Sequence, residues 1–364
     1  MNPPRLAKII AVSIIAVLIV TFAKTSTRGF SPHTGEMIIK GAGATFPYPL
    51  YLKWIREYER IRPVRIDYQS VGSGGGIRLL MSGSVDFAGS DAPLNDEEMS
   101  KILEAGRGVV HVPTVAGAVV IVFNLPGARE LNLTPDTIAK IFLGKIKYWD
   151  NPSITKYNDI NLPHEEIRTV HRVDGSGTTY IFTYYLSKIS DEWRTKIGYG
   201  KEVDWPTGLG GKGNEGVSQL IQQIPYSIGY TEYTYAITAG LSMASVMNRA
   251  GIFITPSVES ISKAAVGYLE ELKEDIRSAI VNSPEEDAYP ISSYTYIITY
   301  QDWSQDPEKG KALAEFLWWA THDGQMFAPD LGYAPLHPEV VKIVESIISE
   351  MKANGSPLLG GARQ

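Results

Sequence analysis

From about residue 38 onward, the apolar positions of the chain switch repeatedly between two rhythms. The short runs "MIIKG", "VRIDYQSV" and "VDFAGS" are each followed by a segment with apolar residues at three- and four-residue spacing: "PLYLKWIREYERI", "IRLLMSG" and "DEEMSKILEAG". A period of two puts side chains on alternate faces of a strand, whereas a period near 3.6 lines one face of a helix. In the first helical segment Leu50, Trp54, Ile55, Tyr58 and Ile61 form the apolar stripe. In the strand after it Val64, Ile66 and Tyr68 alternate with Arg65, Asp67 and Gln69. These aromatics read as core. Strands alternating with helices predict βαβ units and a parallel sheet. The nearly continuous apolar run "AGAVVIVFNL" (116–125) suits a strand buried on both faces. "LTPDTIAKIFLGKI" opens a helix with Thr134 as N-cap and Pro135 at the first helical position. "YPISSYTYIITYQD" (289–302) is a second long strand, and the tail "NGSPLLGGARQ" is expected to be loose.

Composition leaves this α/β picture intact and adds an N-terminal segment to it. With 364 residues, 44% hydrophobic and 20% charged, the chain is long enough for two domains with real cores. Arg5 and Lys8 precede the uncharged apolar run "IIAVSIIAVLIVTFA" (9–23), and the polar stretch "KTSTRGFSPHTGE" follows it. Charged, apolar, polar is the order of a secretory signal. The run falls short of the roughly 20 residues a spanning helix wants. Export is therefore expected, with residues 1–23 a signal peptide or an N-terminal membrane anchor and 24–35 a linker. The absence of cysteine excludes a lipid-modified cysteine anchor, disulfides and thiolate metal sites.

Charge narrows the partners. All 40 acidic residues lie from Glu36 onward, against 30 of the 34 basic ones, so the body carries about −10. Such a body argues against a nucleic-acid partner. Any anion it binds must be held by local donors against the overall field.

Three segments share one design. "GAGATFPYPLY" (41–51), "VGSGGGIRLL" (71–80) and "HRVDGSGTTYIF" (171–182) are glycine-rich turns bearing hydroxyl residues, each after a strand-like run and before a helix. Glycine permits close backbone approach, the helix N-terminus offers free N–H groups and the positive dipole end, and Ser or Thr adds a donor. That is oxyanion-binding chemistry. A single loop of this kind reads more simply as an N-cap; three together shift the balance. The phosphate-loop pattern G-x-x-x-x-G-K-[ST] is absent, "GLGGKGN" (208–214) being its nearest approach. A serine hydrolase reading needs glycines two residues either side of Ser176, where Asp174 and Thr178 stand instead, and His171 reads as a spectator. The six histidines show no H-x-x-x-H pairing, so metal binding is not indicated and no cofactor is expected. Arg172 and Asp174, two apart on an extended segment, point the same way. They form either a structural ion pair or an anion-binding arginine oriented by its carboxylate.

At this point seven segments occurring in order, "GAGATFPYPLYLKW", "VGSGGGIRLL", "VDFAGSDAPL", "IFLGKIKYWD", "RVDGSGTTYIFTYYL", "WPTGLGGKGNEGV" and "IGYTEYTYA", resemble the motifs of the phosphate-binding proteins of high-affinity phosphate ABC transporters, the PstS family. The similarity runs from about Ile38 to Ala334. It implies an α/β, bilobal, type II-like periplasmic-binding-protein fold whose two lobes, joined by a two-crossing hinge, close on one phosphate. Lobe I would comprise 36–123 and 291–350, lobe II 124–290, with 351–364 a loose tail. By position in the motifs, Thr45, Phe46, Ser73 and Asp91 would come from lobe I. Arg172, the single cationic ligand, would come from lobe II with Ser176, Gly177 and Thr178, and Asp174 would pair with the arginine. His171 stands where an arginine is common in the family. The resemblance also implies an extracytoplasmic, non-enzymatic receptor that hands inorganic phosphate to ABC permease subunits. Two other readings stay open: a receptor for another tetrahedral oxyanion such as sulfate or molybdate, and a secreted phosphatase or hydrolase using Ser176.

Overall fold

A computed structural model describes residues 37–104 and 106–360. The expected export segment (1–23) and linker (24–35) lie outside the described residues. The first third of the chain builds as its periodicity predicts: β1 (Ile38–Gly43), α1 (Tyr48–Ile61), β2 (Arg65–Ser70), α2 (Ser73–Met81), β3 (Phe87–Ser90) and α3 (Asp96–Glu104). β1 lies between β2 and β3, parallel to both. α1 buries Leu50, Tyr51, Trp54, Ile55 and Tyr58. Ile61, expected in the same stripe, is exposed, because it is the last residue of the helix, where the chain leaves the core.

The main sheet continues with β4 (Val109–Asn124), β5 (Arg168–Arg172), β6 (Leu209–Gly211), β7 (Ser227–Glu232) and β8 (Ser292–Tyr300), and a short strand, Ser242–Met243, pairs antiparallel with the end of β4. β4 to β8 extend it in the order β2-β1-β3-β8-β4-β7-β5-β6. The sheet is not parallel throughout, as the sequence suggested. β8 runs antiparallel to β3 and β4, and β4 antiparallel to β7. Parallel pairing is confined to the β2-β1-β3 and β7-β5-β6 groups. An apolar run reports burial on both faces, not direction, and β4 is buried without interruption from Val110 to Phe123.

β4 changes partners along its length. Val109 to Ala118 pair with β8, whereas Val119 to Asn124 pair with β7. At the switch the Val119 N–H donates to the carbonyl of Ile291, just before β8 (2.9 Å). The two long strands therefore carry the chain side by side between the two groups of parallel strands.

The helices that matter for the site in the later chain are α4 (Pro135–Phe142), α5 (Gly177–Ile189), α6 (Gly213–Gln223) and α7 (Tyr233–Thr238). Thr134 caps α4 as expected, its hydroxyl oxygen accepting from the Thr137 N–H at 3.2 Å. The tail is more ordered than expected. Lys352–Ala353 pairs antiparallel with Ser356–Pro357 around Asn354 and Gly355, both at positive φ (50° and 78°), and Leu358 is buried. Asn-Gly is the hairpin turn signal, masked in the sequence by the shortness of its flanking strands.

Candidate anion-binding site

The three glycine-rich loops join β1 to α1, β2 to α2 and β5 to α5, and Asp91 follows directly on β3. Only one hydroxyl among them serves as an N-cap. Ser176 Oγ accepts from the Thr179 N–H (3.0 Å) at the head of α5. The N-cap positions of α1 and α2 are Pro47 and Gly72, with no side-chain cap. Thr45 and Ser73 are thus not accounted for by capping, and their partners lie elsewhere.

Arg172 ends β5 and is buried, its side chain 1% exposed. Its Nε and Nη2 donate to the two carboxylate oxygens of Asp174, at 2.8 and 2.5 Å. The parallel fork of this pair fixes the guanidinium plane. Nη1 donates to Thr178 Oγ1 at 3.3 Å, and the Arg172 N–H donates to the hydroxyl of Tyr230 at 3.2 Å. Asp174 also accepts from the Gly213 N–H (3.0 Å). Burial alone would raise its pKa, but the hydrogen bonds and charge of Arg172, with the Gly213 N–H, outweigh that and hold it below the usual carboxylate range.

Asp91 is more deeply buried than Asp174, 2% exposed. Oδ1 accepts from Thr295 Oγ1 on β8 (2.7 Å), and Oδ2 lies 3.4 Å from Ser73 Oγ. Burial pushes its pKa up to about 7, against the opposing effects of the Thr295 hydrogen bond, the Arg172 charge and Ser73. Unlike Asp174, it has no cation in contact. Ser73 Oγ accepts from the Asp91 N–H (3.3 Å) and, across the cleft, from the Gly177 N–H (3.1 Å).

The two strand groups meet at these loops. The Gly74 N–H donates to the Gly175 carbonyl (2.9 Å), and the Tyr235 hydroxyl donates to the Thr45 carbonyl (2.7 Å). Two glycines make the approach possible. Gly72 has φ +83°, and a Cβ there would stand 2.6 Å from Asp174 Oδ2. At Gly177 a Cβ would stand 2.5 Å from Asp91 Oδ2 and 2.6 Å from Ser73 Oγ. All three distances are too short for real contacts, so a side chain at either position would push the loops apart.

Of the residues singled out in the sequence, Ser73, Asp91 and Gly177 form one hydrogen-bonded group and Arg172, Asp174 and Thr178, with Thr45 through Asn214, a second; the two meet at the Gly177–Thr178 peptide. Phe46 is fully buried, and its carbonyl accepts from the Tyr333 hydroxyl (2.7 Å). Ser176 caps α5. His171 stacks on Trp205 (ring centroids 4.9 Å apart), with Nδ1 3.0 Å from the Arg172 carbonyl oxygen. Among the described residues no group of three or more His, Cys, Asp or Glu stands close enough to hold a metal ion.

Sequence reasoning missed Gly213, Asn214 and Thr295. The first two belong to "GLGGKGN", dismissed as an imperfect phosphate loop. It is a fourth glycine-rich turn between a strand (β6) and a helix (α6), and that shared design was the available signal. Thr295 lies on β8, where every residue is buried. No alternation marks out a polar side chain there.

The fold and this loop set have relatives. Residues 24–323 match the model of the PBP superfamily domain. The phosphate-binding protein PstS of Pasteurella multocida is 41% identical over 336 residues, covering 92% of this chain and 94% of that protein. PstS of Methanocaldococcus jannaschii is 40% identical over 341 residues, 87% of each chain. Among solved structures, a high-affinity periplasmic phosphate-binding protein bound with phosphate superposes with a TM-score of 0.69 at 21% identity, over 85% of this chain and 93% of that one. That likeness identifies the fold as the mixed α/β, bilobal periplasmic-binding type. At 40–41% identity over most of its length, the chain belongs to the PstS family of phosphate-binding proteins.

Proposed function

We propose that this chain is an extracytoplasmic receptor that captures one inorganic phosphate between two lobes and delivers it to the permease subunits of an ABC importer. The chain crosses between the lobes twice, where β4 changes partners and just before β8. Lobe I then takes in β1 to β3, the first part of β4 and β8, and lobe II the chain to Pro290 from about Val119, where β4 changes partners, five residues before the expected boundary at 124. The proposed ligand shell is Thr45, Phe46, Ser73 and Asp91 from lobe I with Arg172, Ser176, Gly177 and Thr178 from lobe II, and Asp174 orients Arg172. Residues 1–23 would export the chain and either leave it or tether it at the membrane.

The observation that carries this reading is one buried carboxylate, Asp91, within a shell otherwise made of donors. A carboxylate beside an anion is tolerated only where the ligand brings a proton, because an unpaired buried charge costs several kcal/mol. Phosphate near neutral pH carries such a proton, and sulfate does not. Calorimetry on protein stripped of carried-over ligand tests the proposal with phosphate and sulfate side by side. Saturable one-to-one phosphate binding without a sulfate response is expected, and no phosphate binding would refute the proposal. Arg172→Ala is expected to raise the dissociation constant at least a hundredfold, since hydrogen bonds to charged groups contribute about 1.5–3 kcal/mol each. A rise below tenfold would remove Arg172 from the shell.

A further inference from the structure

Asn214, the second residue of α6, is fully buried and was assigned no place in the ligand shell. Its carboxamide is held in one orientation. Oδ1 accepts from the Glu232 N–H (3.2 Å) and from Thr231 Oγ1 (3.3 Å), so the NH2 group faces the other way. Nδ2 donates to Thr45 Oγ1 (2.8 Å) and to Thr178 Oγ1 (3.3 Å), and the Asn214 backbone N–H adds a second bond to Thr45 Oγ1 (3.3 Å).

A threonine hydroxyl has two lone pairs and one proton. Both lone pairs of Thr45 Oγ1 are taken by Asn214, and those of Thr178 Oγ1 by Asn214 Nδ2 and Arg172 Nη1. Each oxygen is saturated as an acceptor, and its O–H is left to donate only. A hydroxyl without such partners rotates freely and spends part of its time turning a lone pair on a bound anion. The two threonines also come from opposite sides of the cleft, so the bonds to Thr45 exist only when the sides meet.

We infer that Asn214 is a positioning residue that turns the Thr45 and Thr178 hydroxyls into fixed donors toward the captured oxyanion, and that it acts on Thr45 only upon closure. This rests on the phosphate reading above. Saturating the acceptors in advance removes the rotational freedom that binding would otherwise have to quench, which is preorganisation.

A double-mutant cycle in the full chain tests the inference, with phosphate as the probe. Asn214→Ala and Thr45→Val are each expected to raise the dissociation constant tenfold or more. If Asn214 works through the Thr45 proton, the cost of Asn214→Ala shrinks at least threefold in the Thr45→Val background. It keeps its full size in Thr45→Ser, which retains the hydroxyl. Asn214→Ser, too short to reach either threonine, serves as a second variant, and melting of each ligand-free variant separates binding from folding. Multiplicative effects in the cycle, a change within twofold for Asn214→Ala, or loss of folded protein in both Asn214 variants would overturn the inference. The unaltered protein distinguishes the two failures: if it ignores phosphate, the functional reading itself falls, whereas tight binding with an insensitive Asn214 sinks this inference alone.

Discussion

Two aspartates near one arginine, Asp174 beside it in the chain and Asp91 brought up from another loop, have opposite electrostatic fates, and the difference sets what the site can hold. Asp174 is spent on Arg172 and stays charged, while Asp91, lacking a contacting cation, is pushed by burial up to about 7. At pH 8 Asp91 is an acceptor and requires a protonated ligand oxygen; below about pH 7 in the ligand-free protein it carries a proton and donates. Sulfate, which offers acceptors only, should therefore be rejected strongly at pH 8 and less so at pH 5.5. Competition of sulfate against labelled phosphate across this range is expected to show the preference narrowing toward acid. Asp91→Asn should narrow the preference at pH 8 by at least about tenfold, or 1.4 kcal/mol, and flatten its pH dependence. The same raised pKa has a stability consequence. Between about pH 4 and 7 Asp91 holds a proton in the folded state that it has released in the unfolded chain, so its contribution to the stability of the ligand-free protein falls as pH rises through that window; Asp91→Asn should remove this contribution, leaving that of Glu232, raised by burial and of the same sign, and that of His111, lowered by burial to about 4 and opposite in sign. A preference that ignores both pH and the mutation would remove Asp91 from selectivity.

At the scale of elements, the site is an arrangement of helix N-termini brought up to strand ends, and glycine sets how near they come. Gly177→Ala places a methyl about 2.5 Å from Asp91 and Ser73, the far side of the cleft, while leaving α5 a better helix former. Its expected signature is a melting temperature unchanged or raised without ligand, together with phosphate affinity lowered by an order of magnitude or more. Equal loss of both would mean that Gly177 serves the fold and not closure. Which elements were legible in advance follows the same physics. Alternating and 3.6-period runs gave β1 to α3, and Thr134-Pro135 gave the start of α4, because those signals are local. Strand direction in β4 and β8 and the contribution of Thr295 were not legible, since each depends on a partner distant in sequence; the hairpin at Asn354 is local, but its two-residue strands are too short to show a pattern. The three loops were recognised by a shared local chemistry, and the fourth, at Asn214, was missed only because it was compared with the wrong template.

For the whole molecule, closure is the property on which the reading depends. Contacts across the cleft include the loop bonds at Gly74, Gly177 and Asn214 and an ion pair near the rim, Lys201 with Glu98 (2.7 and 2.8 Å), each side chain less than one-fifth exposed. Phosphate should raise the closed population by its differential affinity for it, seen in small-angle scattering as a smaller radius of gyration. Lys201→Met should weaken binding by only about two- to fivefold, the scale of a partly exposed ion pair. An identical scattering profile with and without phosphate would argue for a rigid pocket. The central claim, that phosphate sits between the lobes on this set of residues, is tested most directly by a crystal structure of the protein soaked with phosphate after stripping. The account predicts one tetrahedral anion held by Thr45, Phe46, Ser73, Arg172, Ser176, Gly177 and Thr178, with one of its oxygens within hydrogen-bonding distance of Asp91. Phosphate bound elsewhere, or an anion here that makes no contact with Asp91 or Arg172, would contradict it.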